Sequence, residues 1–379
     1  MNRLPQPVYV TCPTLPPLPE LIPLLEQIWQ SRTLTNMGPM HRRFESALAE
    51  RCGIRHVTLH SNATIALTLA LKHTVAPGDE VITTPFSFVA TTNSIAWAGA
   101  VPVFADIDER SLNLDPRQIE KHITPRTKAI VAVHCYGNAC ETEAIEAIAR
   151  QHGLKVIYDA AHAFGVSHRG RSLVSHGDLS VLSFHATKAF NTLEGGAVVC
   201  ADEGTKAAIE RLSNHGIVDE ATVTDVGLNG KMSEFNAAVG LVQLQHFDAA
   251  IRKRRELTRL YLEQLSPIEG IRCLQQDVDL DQSNCYAFPI LIDTRYPDSR
   301  DAVQAELRAL NIFARRYFHP LISDLPMYRH HPSADRRNLP VAGAAAEQIL
   351  CLPMFPDLDP AVIHLIAETL AAKALRRAS

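Results

Sequence analysis

Short apolar runs alternate with helical patterns between residues 54 and 201, and this alternation restricts the fold more than any other feature of the chain. Parallel strands need a crossover connection, which is usually a helix. Strands interleaved with helices therefore predict a mostly parallel sheet that is covered on both faces. The predicted strands comprise residues 56–59, 80–84, 101–104, 129–134 and 155–158. The predicted helices comprise residues 62–73, a segment that ends near Trp97, a segment near Ile119, and residues 141–152.

The alternation stops after residue 158. Two apolar runs, residues 179–184 and 197–200, follow each other without a helix between them. Because antiparallel strands need no crossover, these runs predict an antiparallel or hairpin-like pair within the sheet. Residues 233–265 then have the apolar spacing of one long helix. Beyond that helix, the predicted strands lie near residues 286–292, 312–318 and 349–352.

The chain length of 379 residues exceeds what one hydrophobic core usually serves. We therefore expect two domains. Residues 1–250 would form a large α/β domain with a mixed sheet, preceded by an amino-terminal arm. Residues 251–379 would form a smaller α+β domain. The fold class predicted from the sequence is thus α/β with a second, carboxyl-terminal α+β unit.

Composition and charge exclude several classes of protein. The formal net charge is −4 and no basic stripe is visible, which argues against nucleic acid as a partner. No apolar run reaches the length of a bilayer, and residues 1–5 do not resemble an apolar signal segment. Of the eight cysteines, the close pair Cys135 and Cys140 does not match zinc or thioredoxin spacing. We expect a cytoplasmic protein with reduced thiols and without a metal site.

Lys188 and Asp159 are the strongest candidates for chemistry. Asp159 follows the apolar run 155–158, and ligands of open parallel sheets collect at the carboxyl ends of strands. Lys188 lies in a segment of small and polar residues rather than on an amphipathic face. An amine that can form an imine and a carboxylate that can hold a pyridinium nitrogen are what a pyridoxal phosphate enzyme needs. A surface lysine and a helix-capping aspartate are the competing interpretations.

Several weaker signals fit the same cofactor. Ser61, Asn62, Ala63 and Thr64 open the predicted helix 62–73, and backbone amides at a helix start bind phosphate. Ser183 could add a hydroxyl to that phosphate, or it is an incidental strand serine. An aromatic ring at Phe86 or Phe88 could stack on the cofactor, or belong to the core. His162 could reach the ring oxygen of the cofactor, or be an interior histidine.

In combination, these segments resemble the nucleotide-sugar aminotransferases of the DegT–DnrJ–StrS group. The resemblance covers most of the chain, with its motifs in the expected order. The matching segments are residues 35–39 with Phe44 and Glu45, residues 61–64, residues 159–162, residues 183–188 and residues 227–234. The resemblance implies the aspartate aminotransferase (type I) fold, pyridoxal 5'-phosphate as cofactor, and a homodimer with shared active sites.

The resemblance also implies a role for each matching residue. Lys188 would be the Schiff-base lysine, and Asp159 would be the partner of the pyridinium nitrogen. The implied cofactor contacts are Asn62, Ala63, Thr64, Phe88, His162, Ser183 and, across the dimer interface, Asn229. The implied contacts to the nucleotide sugar are Lys231, Arg316, Tyr317 and His319. Many relatives have Gln where His162 stands, so the resemblance leaves the exact contact to the ring oxygen open.

The resemblance implies transfer of an amino group from glutamate to carbon 4 of a TDP-4-keto-6-deoxy-D-glucose-type sugar. Residues 184–187 look like the group that acts on 4-keto sugars. The alternatives are another nucleotide ketosugar, such as GDP-4-keto-6-deoxymannose or a 3-keto sugar, and a non-catalytic regulator that binds the cofactor or the sugar nucleotide. A lyase or desulfurase acting on amino acids is disfavoured, because no cysteine lies in a glycine-rich loop.

Overall fold

The computed structural model describes residues 3–378, with side chains for residues 3–375; the outermost residues of the two expected domains lie outside this range. The strands are β1 Val8–Tyr9, β2 His56–His60, β3 Glu80–Thr83, β4 Val101–Phe104, β5 Thr127–Val133, β6 Lys155–Asp159, β7 Ser167–His168, β8 Arg171–Ser172, β9 Leu179–Ser183, β10 Gly196–Cys200, β11 Ile271–Cys273, β12 Phe288–Ile292, β13 Ile312–Phe313 and β14 Ile349–Leu352. The α-helices are α1 Leu18–Ser31, α2 Pro39–Cys52, α3 Ala63–Thr74, α4 Ala90–Trp97, α5 Thr142–His152, α6 Glu203–Leu212, α7 Glu234–Leu265, α8 Arg300–Ala309, α9 Pro340–Gln348 and α10 Pro360–Ala378. None of these helices combines the length and apolar character that a membrane span requires.

A seven-stranded sheet forms the centre of the fold, in the order β2-β10-β9-β6-β5-β3-β4. Strands β4, β3, β5, β6 and β9 pair in parallel. Strand β10 is antiparallel to both of its neighbours, β9 and β2. The predicted α/β class and the predicted antiparallel pair are confirmed. This topology brings the carboxyl ends of β2, β3, β4, β5, β6 and β9 to one edge, where the chain of β10 begins.

Two predicted elements differ from the structure. The predicted helix near Ile119 is wrong, because the chain forms two three-residue 3-10 turns there, Pro116–Gln118 and Glu120–His122. The predicted strand 312–318 ends at Phe313, because its partner β1 is only two residues long. Beyond that point the main-chain amide of His319 donates to the carbonyl of Arg316 over 2.7 Å, which closes a turn.

Helix α7 contributes to two hydrophobic cores. Val239 and Val242, in its first half, belong to the core that contains Phe44 of α2. Leu257 and Tyr261, in its second half, belong to the core built on β11, β12 and β14. We therefore propose to keep the boundary between the two predicted domains near residue 250. The amino-terminal arm packs on the carboxyl-terminal part, where Val8 pairs with Ile312.

The carboxylate of Glu234, the first residue of α7, caps the start of α2. Oε2 accepts a hydrogen bond from the amide of Met40 (2.8 Å), and Oε1 accepts one from the amide of His41 (2.9 Å). Glu234 is buried, and a Cβ atom on Gly38 would lie 2.6 Å from its Cδ atom. The first amides of a helix have no acceptor within the helix, so this carboxylate supplies one. It thereby ties the loop before α2 to the start of α7.

Replacing Glu234 with alanine should lower the free energy of unfolding by about 2–5 kcal/mol, because two buried amides lose their acceptors. The measurement is urea unfolding followed by circular dichroism. Glu263→Ala, at an exposed position of the same helix, is the matched control and should change the free energy by less than about 0.5 kcal/mol. Equal stability of the two variants would contradict the capping role.

Candidate active site

A cavity of about 300 Å³ opens at the carboxyl-terminal edge of the central sheet. Its position follows from the topology, because six strands end at this edge. Most of the residues that the sequence proposed for the site line this cavity. They are Asn62, Ala63, Thr64, Phe88, Asp159, His162, Ser183, Tyr317 and Lys188. The fold thus brings together residues that are as far apart as 255 positions in the chain.

Lys188 presents its amine to the cavity from the turn that follows β9. The amide of Lys188 donates to the carbonyl of His185 over 2.9 Å, which fixes the turn. Its Nζ atom lies 5.2 Å from the centre of the Tyr286 ring. Burial lowers the pKa of Lys188 to about 8, although the nearby carboxylate of Asp159 acts in the opposite direction. About a tenth of this amine is therefore unprotonated at pH 7 and about half at pH 8, far more than for an ordinary lysine.

Asp159, the last residue of β6, lies 9% exposed in the cavity wall. Its Oδ2 atom accepts a hydrogen bond from the hydroxyl of Thr91 (2.7 Å), and its Oδ1 atom accepts one from the amide of Ala161 (3.1 Å). Burial raises the pKa of Asp159, whereas these two hydrogen bonds and the charge of Lys188 lower it. A bound cation beside this carboxylate would replace the hydration that burial removes.

The start of α3 forms a cradle for an anion. Asn62 caps the helix by accepting from the amide of Ile65 (2.9 Å). The amides of Ala63 and Thr64 belong to the first turn and have no acceptor within the helix. Gly196 of β10 lies against them, since a Cβ atom there would be 2.6 Å from the amide nitrogen of Ala63. The absence of a side chain at this position therefore keeps the helix start open, as a phosphate group requires.

The aromatic candidates occupy different environments. Phe86 is fully buried in the core, whereas Phe88 is 60% exposed and lines the cavity. The ring of His162 stacks on Tyr286 at 4.4 Å, and its Nδ1 atom accepts a hydrogen bond from the amide of Tyr136 (3.1 Å). Burial lowers the pKa of His162 well below its ordinary value, so the ring is neutral. His162 is thus both hydrogen-bonded in the interior and part of the cavity wall.

Four proposed residues do not line this cavity. Lys231 donates to Asn214 over 2.6 Å, and Arg316 donates to Asp301 over 3.2 Å. His319 lies 3.8 Å from Glu347. The fourth residue, Asn229, is exposed and forms an isolated bridge with the chain at Asn214. Because Asn229 is expected to act on the site of a partner subunit, its position in a single chain does not test that prediction.

Sequence reasoning missed three residues of the site. Thr91 donates to Asp159, and Tyr286 and Tyr136 line the cavity wall. The hydroxyl of Tyr136 donates to the carbonyl of Tyr317. The available signals were the hydroxyl-rich start of α4 after β3 and the tyrosine that stands three residues after the end of β5. Tyr286 gives no signal of its own, because it enters the site from the carboxyl-terminal part of the chain.

Together, the buried amine, the buried carboxylate and the open helix start fit the donor set that pyridoxal phosphate needs: an amine for its aldehyde, an anion for its ring nitrogen and amides for its phosphate. The carboxylate keeps unused lone pairs on both oxygens, because the structure gives each oxygen one donor. The cavity wall beside it is lined mainly by apolar and aromatic side chains. The residues present therefore fit the cofactor.

Comparisons with known proteins agree with this assignment of the cofactor. The chain is 49% identical over 369 residues to the dTDP-4-amino-4,6-dideoxy-D-glucose transaminase of Shigella dysenteriae, covering 96% of this chain and 98% of the relative. It superposes on DesI, solved in the presence of its TDP-sugar product, with a TM-score of 0.92, 36% identity and coverage of 100% and 95% of the two chains. NtdA of Bacillus subtilis, solved with bound cofactor PMP, gives a TM-score of 0.81, 27% identity and coverage of 93% and 82%.

The family model described as DegT/DnrJ/EryC1/StrS aminotransferase matches residues 19–371. Aminotransferases of this family depend on pyridoxal phosphate. The match spans the central sheet, the cavity and nearly all of the carboxyl-terminal part. The protein is therefore a pyridoxal phosphate-dependent aminotransferase, and the chain belongs to the DegT/DnrJ/EryC1/StrS family.

Proposed function

We propose that this protein transfers an amino group from glutamate to carbon 4 of a TDP-4-keto-6-deoxy-D-glucose, giving a 4-amino-4,6-dideoxy sugar nucleotide. The observation that carries the proposal is the meeting of Lys188 and Asp159 in one cavity beside the open start of α3. The substrate is supported by the name of the relative in Shigella dysenteriae, dTDP-4-amino-4,6-dideoxy-D-glucose transaminase, and by DesI, which was solved in the presence of its TDP-sugar product.

Besides Lys188, five residues of the same chain would hold the ring nitrogen, the phosphate and one ring face of the cofactor. Asp159 would pair with the ring nitrogen, and Ala63, Thr64 and Ser183 would bind the phosphate with amides and hydroxyls. Phe88 would cover one face of the ring. Pyridoxal phosphate supplies an aldehyde that bonds to amines and a ring that accepts an electron pair. The ionised carboxylate of Asp159 would keep the ring nitrogen protonated, which makes the ring the better electron acceptor.

Lys188 would move the proton in both halves of the reaction. Its amine, with a pKa lowered to about 8 by burial, both accepts and releases a proton near neutral pH. Positioned general acid–base catalysis of this kind contributes about 10²–10⁴-fold in rate. In the first half it would take the proton from the α carbon of glutamate and pass it to the cofactor. In the second half it would take a proton back from the cofactor and deliver it to carbon 4 of the sugar.

The test is incubation of the purified protein with glutamate and TDP-4-keto-6-deoxyglucose, with the aminated sugar detected by mass spectrometry and NMR. Lys188→Ala should reduce turnover by at least about 10²-fold, since it removes the proton carrier. Lys128→Ala, at an exposed position, is the control and should retain turnover.

Three outcomes would contradict the proposal in different ways. Faster turnover of a GDP-linked or a 3-keto sugar would identify that sugar, and not the TDP-linked 4-keto sugar, as the substrate. Full turnover by Lys188→Ala would show that the amine of Lys188 does not carry the proton. A colourless protein that does not respond to added pyridoxal phosphate would favour a binding protein without catalysis.

Covalent attachment of pyridoxal phosphate to the apoprotein should accelerate as the pH rises through about 8. The folded pKa of Lys188 lies below the ordinary value of 10.5, so the reactive unprotonated amine predominates above pH 8 instead of above pH 10. The measurement is the rate of the absorbance change after mixing, between pH 6 and pH 10. A midpoint near 10.5 would contradict the effect of burial on this amine.

The predicted homodimer has support from the surface beside Asn229. Val223 and Val226 are 64% and 94% exposed in the segment that leads to this residue. Exposed apolar side chains that cluster on a surface mark an interaction site. We also keep the predicted cytoplasmic location, which is supported by the unpaired state of all eight cysteines in the described residues.

Val226→Asp should shift the protein toward monomer and lower its activity, because a desolvated charge opposes association. Sedimentation velocity combined with the transamination assay measures both effects. Leu375→Asp, at an exposed position of α10, is the control and should remain dimeric. A fully active monomeric wild type would contradict the shared site.

A further inference from the structure

Two buried hydroxyl groups lead to the carboxylate of Asp159. Thr91 Oγ1 donates to Asp159 Oδ2 over 2.7 Å, and the hydroxyl oxygens of Thr91 and Ser87 lie 2.9 Å apart. A hydroxyl has a single hydrogen to donate. Because an ionised carboxylate can only accept, Thr91 gives its hydrogen to Asp159, and Ser87 is the donor to Thr91. The chain of donors therefore runs from Ser87 through Thr91 to Asp159.

The position of Thr91 argues that its hydroxyl serves this bond. Thr91 is the second residue of α4 and is fully buried. Valine has nearly the same shape, and a buried hydroxyl costs free energy unless it is hydrogen-bonded. The hydroxyl of Thr91 forms hydrogen bonds with Ser87 and with Asp159. The hydroxyl of Thr91 therefore serves as a hydrogen-bond donor to the carboxylate, and the packing of the helix does not require it.

The two oxygens of Asp159 are held by different elements. Oδ2 accepts from Thr91 of α4, and Oδ1 accepts from the amide of Ala161, which follows β6. A hydrogen bond on each oxygen fixes the plane of the carboxylate. Each oxygen retains a lone pair for a further donor. The group is thereby oriented while it stays able to bind a cation from the cavity.

We infer that Thr91, supported by Ser87, is a positioning residue that keeps the Asp159 carboxylate ionised and oriented toward the ring nitrogen of the cofactor. The inference rests on the proposed function, in which Asp159 pairs with that nitrogen. Thr91 acts through Asp159 and is not itself a catalytic residue. Its hydroxyl opposes the effect of burial, which favours the neutral acid.

The electrostatic setting predicts the direction of the effect. Burial raises the pKa of Asp159, and the hydrogen bond from Thr91 lowers it. Without that donor the carboxyl group should take up a proton at higher pH. A neutral carboxyl group binds a pyridinium ion less well, so the loss of cofactor affinity on acidification should begin at a higher pH. The other titratable groups around this carboxylate are Lys188, His162, Cys135 and Cys140.

The test measures non-covalent binding of pyridoxal phosphate in a Lys188→Ala background, which removes the titration of the amine. Thr91→Val, Thr91→Ser and Ser87→Ala would each be introduced into this background. Equilibrium dialysis between pH 5.5 and pH 9 would then give the dissociation constant of pyridoxal phosphate for each variant. Thr91→Val should weaken binding by about 10- to 100-fold, the effect of one buried hydrogen bond to a charged group. Its loss of affinity on acidification should begin at higher pH.

Thr91→Ser should restore both the affinity and the pH profile, because serine keeps the donor. Ser87→Ala should shift the profile in the same direction as Thr91→Val, but by less. Unchanged binding in Thr91→Val would overturn the inference. So would equal weakening at every pH together with failure of Thr91→Ser to rescue, since that is what a purely structural role predicts.

Failure of this inference is distinguishable from failure of the proposed function. Normal binding in Thr91→Val would leave the transamination assay of the wild type unaffected. Conversely, a wild type that does not aminate the TDP sugar would leave the shift of the binding profile measurable. Thermal unfolding of the apoprotein variants separates both results from loss of folded protein.

Discussion

The buried carboxylate of Asp159 at the end of β6 is the interaction on which the site depends. A buried charge is unfavourable unless it is paired and hydrogen-bonded. In this protein Thr91 and Ala161 donate to it, and the amine of Lys188 contributes opposite charge. The same burial lowers the pKa of Lys188 to about 8. One desolvated environment thus lowers the pKa of the amine and holds a carboxylate that can pair with a cationic ring.

The topology of the sheet makes this environment possible. Strand β10 runs antiparallel between β2 and β9, so its first residue, Gly196, lies at the same edge as the ends of the parallel strands. There it meets the start of α3 without a side chain in the way. The open start of α3, the carboxylate of Asp159 and the turn that carries Lys188 therefore share one edge. The carboxyl-terminal part closes the cavity with Tyr286 and Tyr317.

Sequence reasoning predicted the sheet and its antiparallel strand because the hydrophobic pattern there is regular and the connections are short. It failed near Ile119, where one apolar residue between short turns resembled a helix. It also extended β13 too far, since the length of a strand depends on its partner, here the two-residue β1. Thr91 and Tyr286 were missed because their roles come from contacts with Asp159 and Lys188 across large gaps in the chain.

The sequence by itself determined the order of strands and helices, the family resemblance, and the pair Lys188 and Asp159, because local patterns and motif spacing carry that information. Only the tertiary structure decided which side chains share the cavity. It separated Phe88 from the core residue Phe86, connected Ser87 and Thr91 to the carboxylate, and left Lys231, Arg316 and His319 outside the cavity wall. The reason is physical: burial, and with it pKa and hydrogen-bond partners, depends on neighbours that lie far apart in the chain.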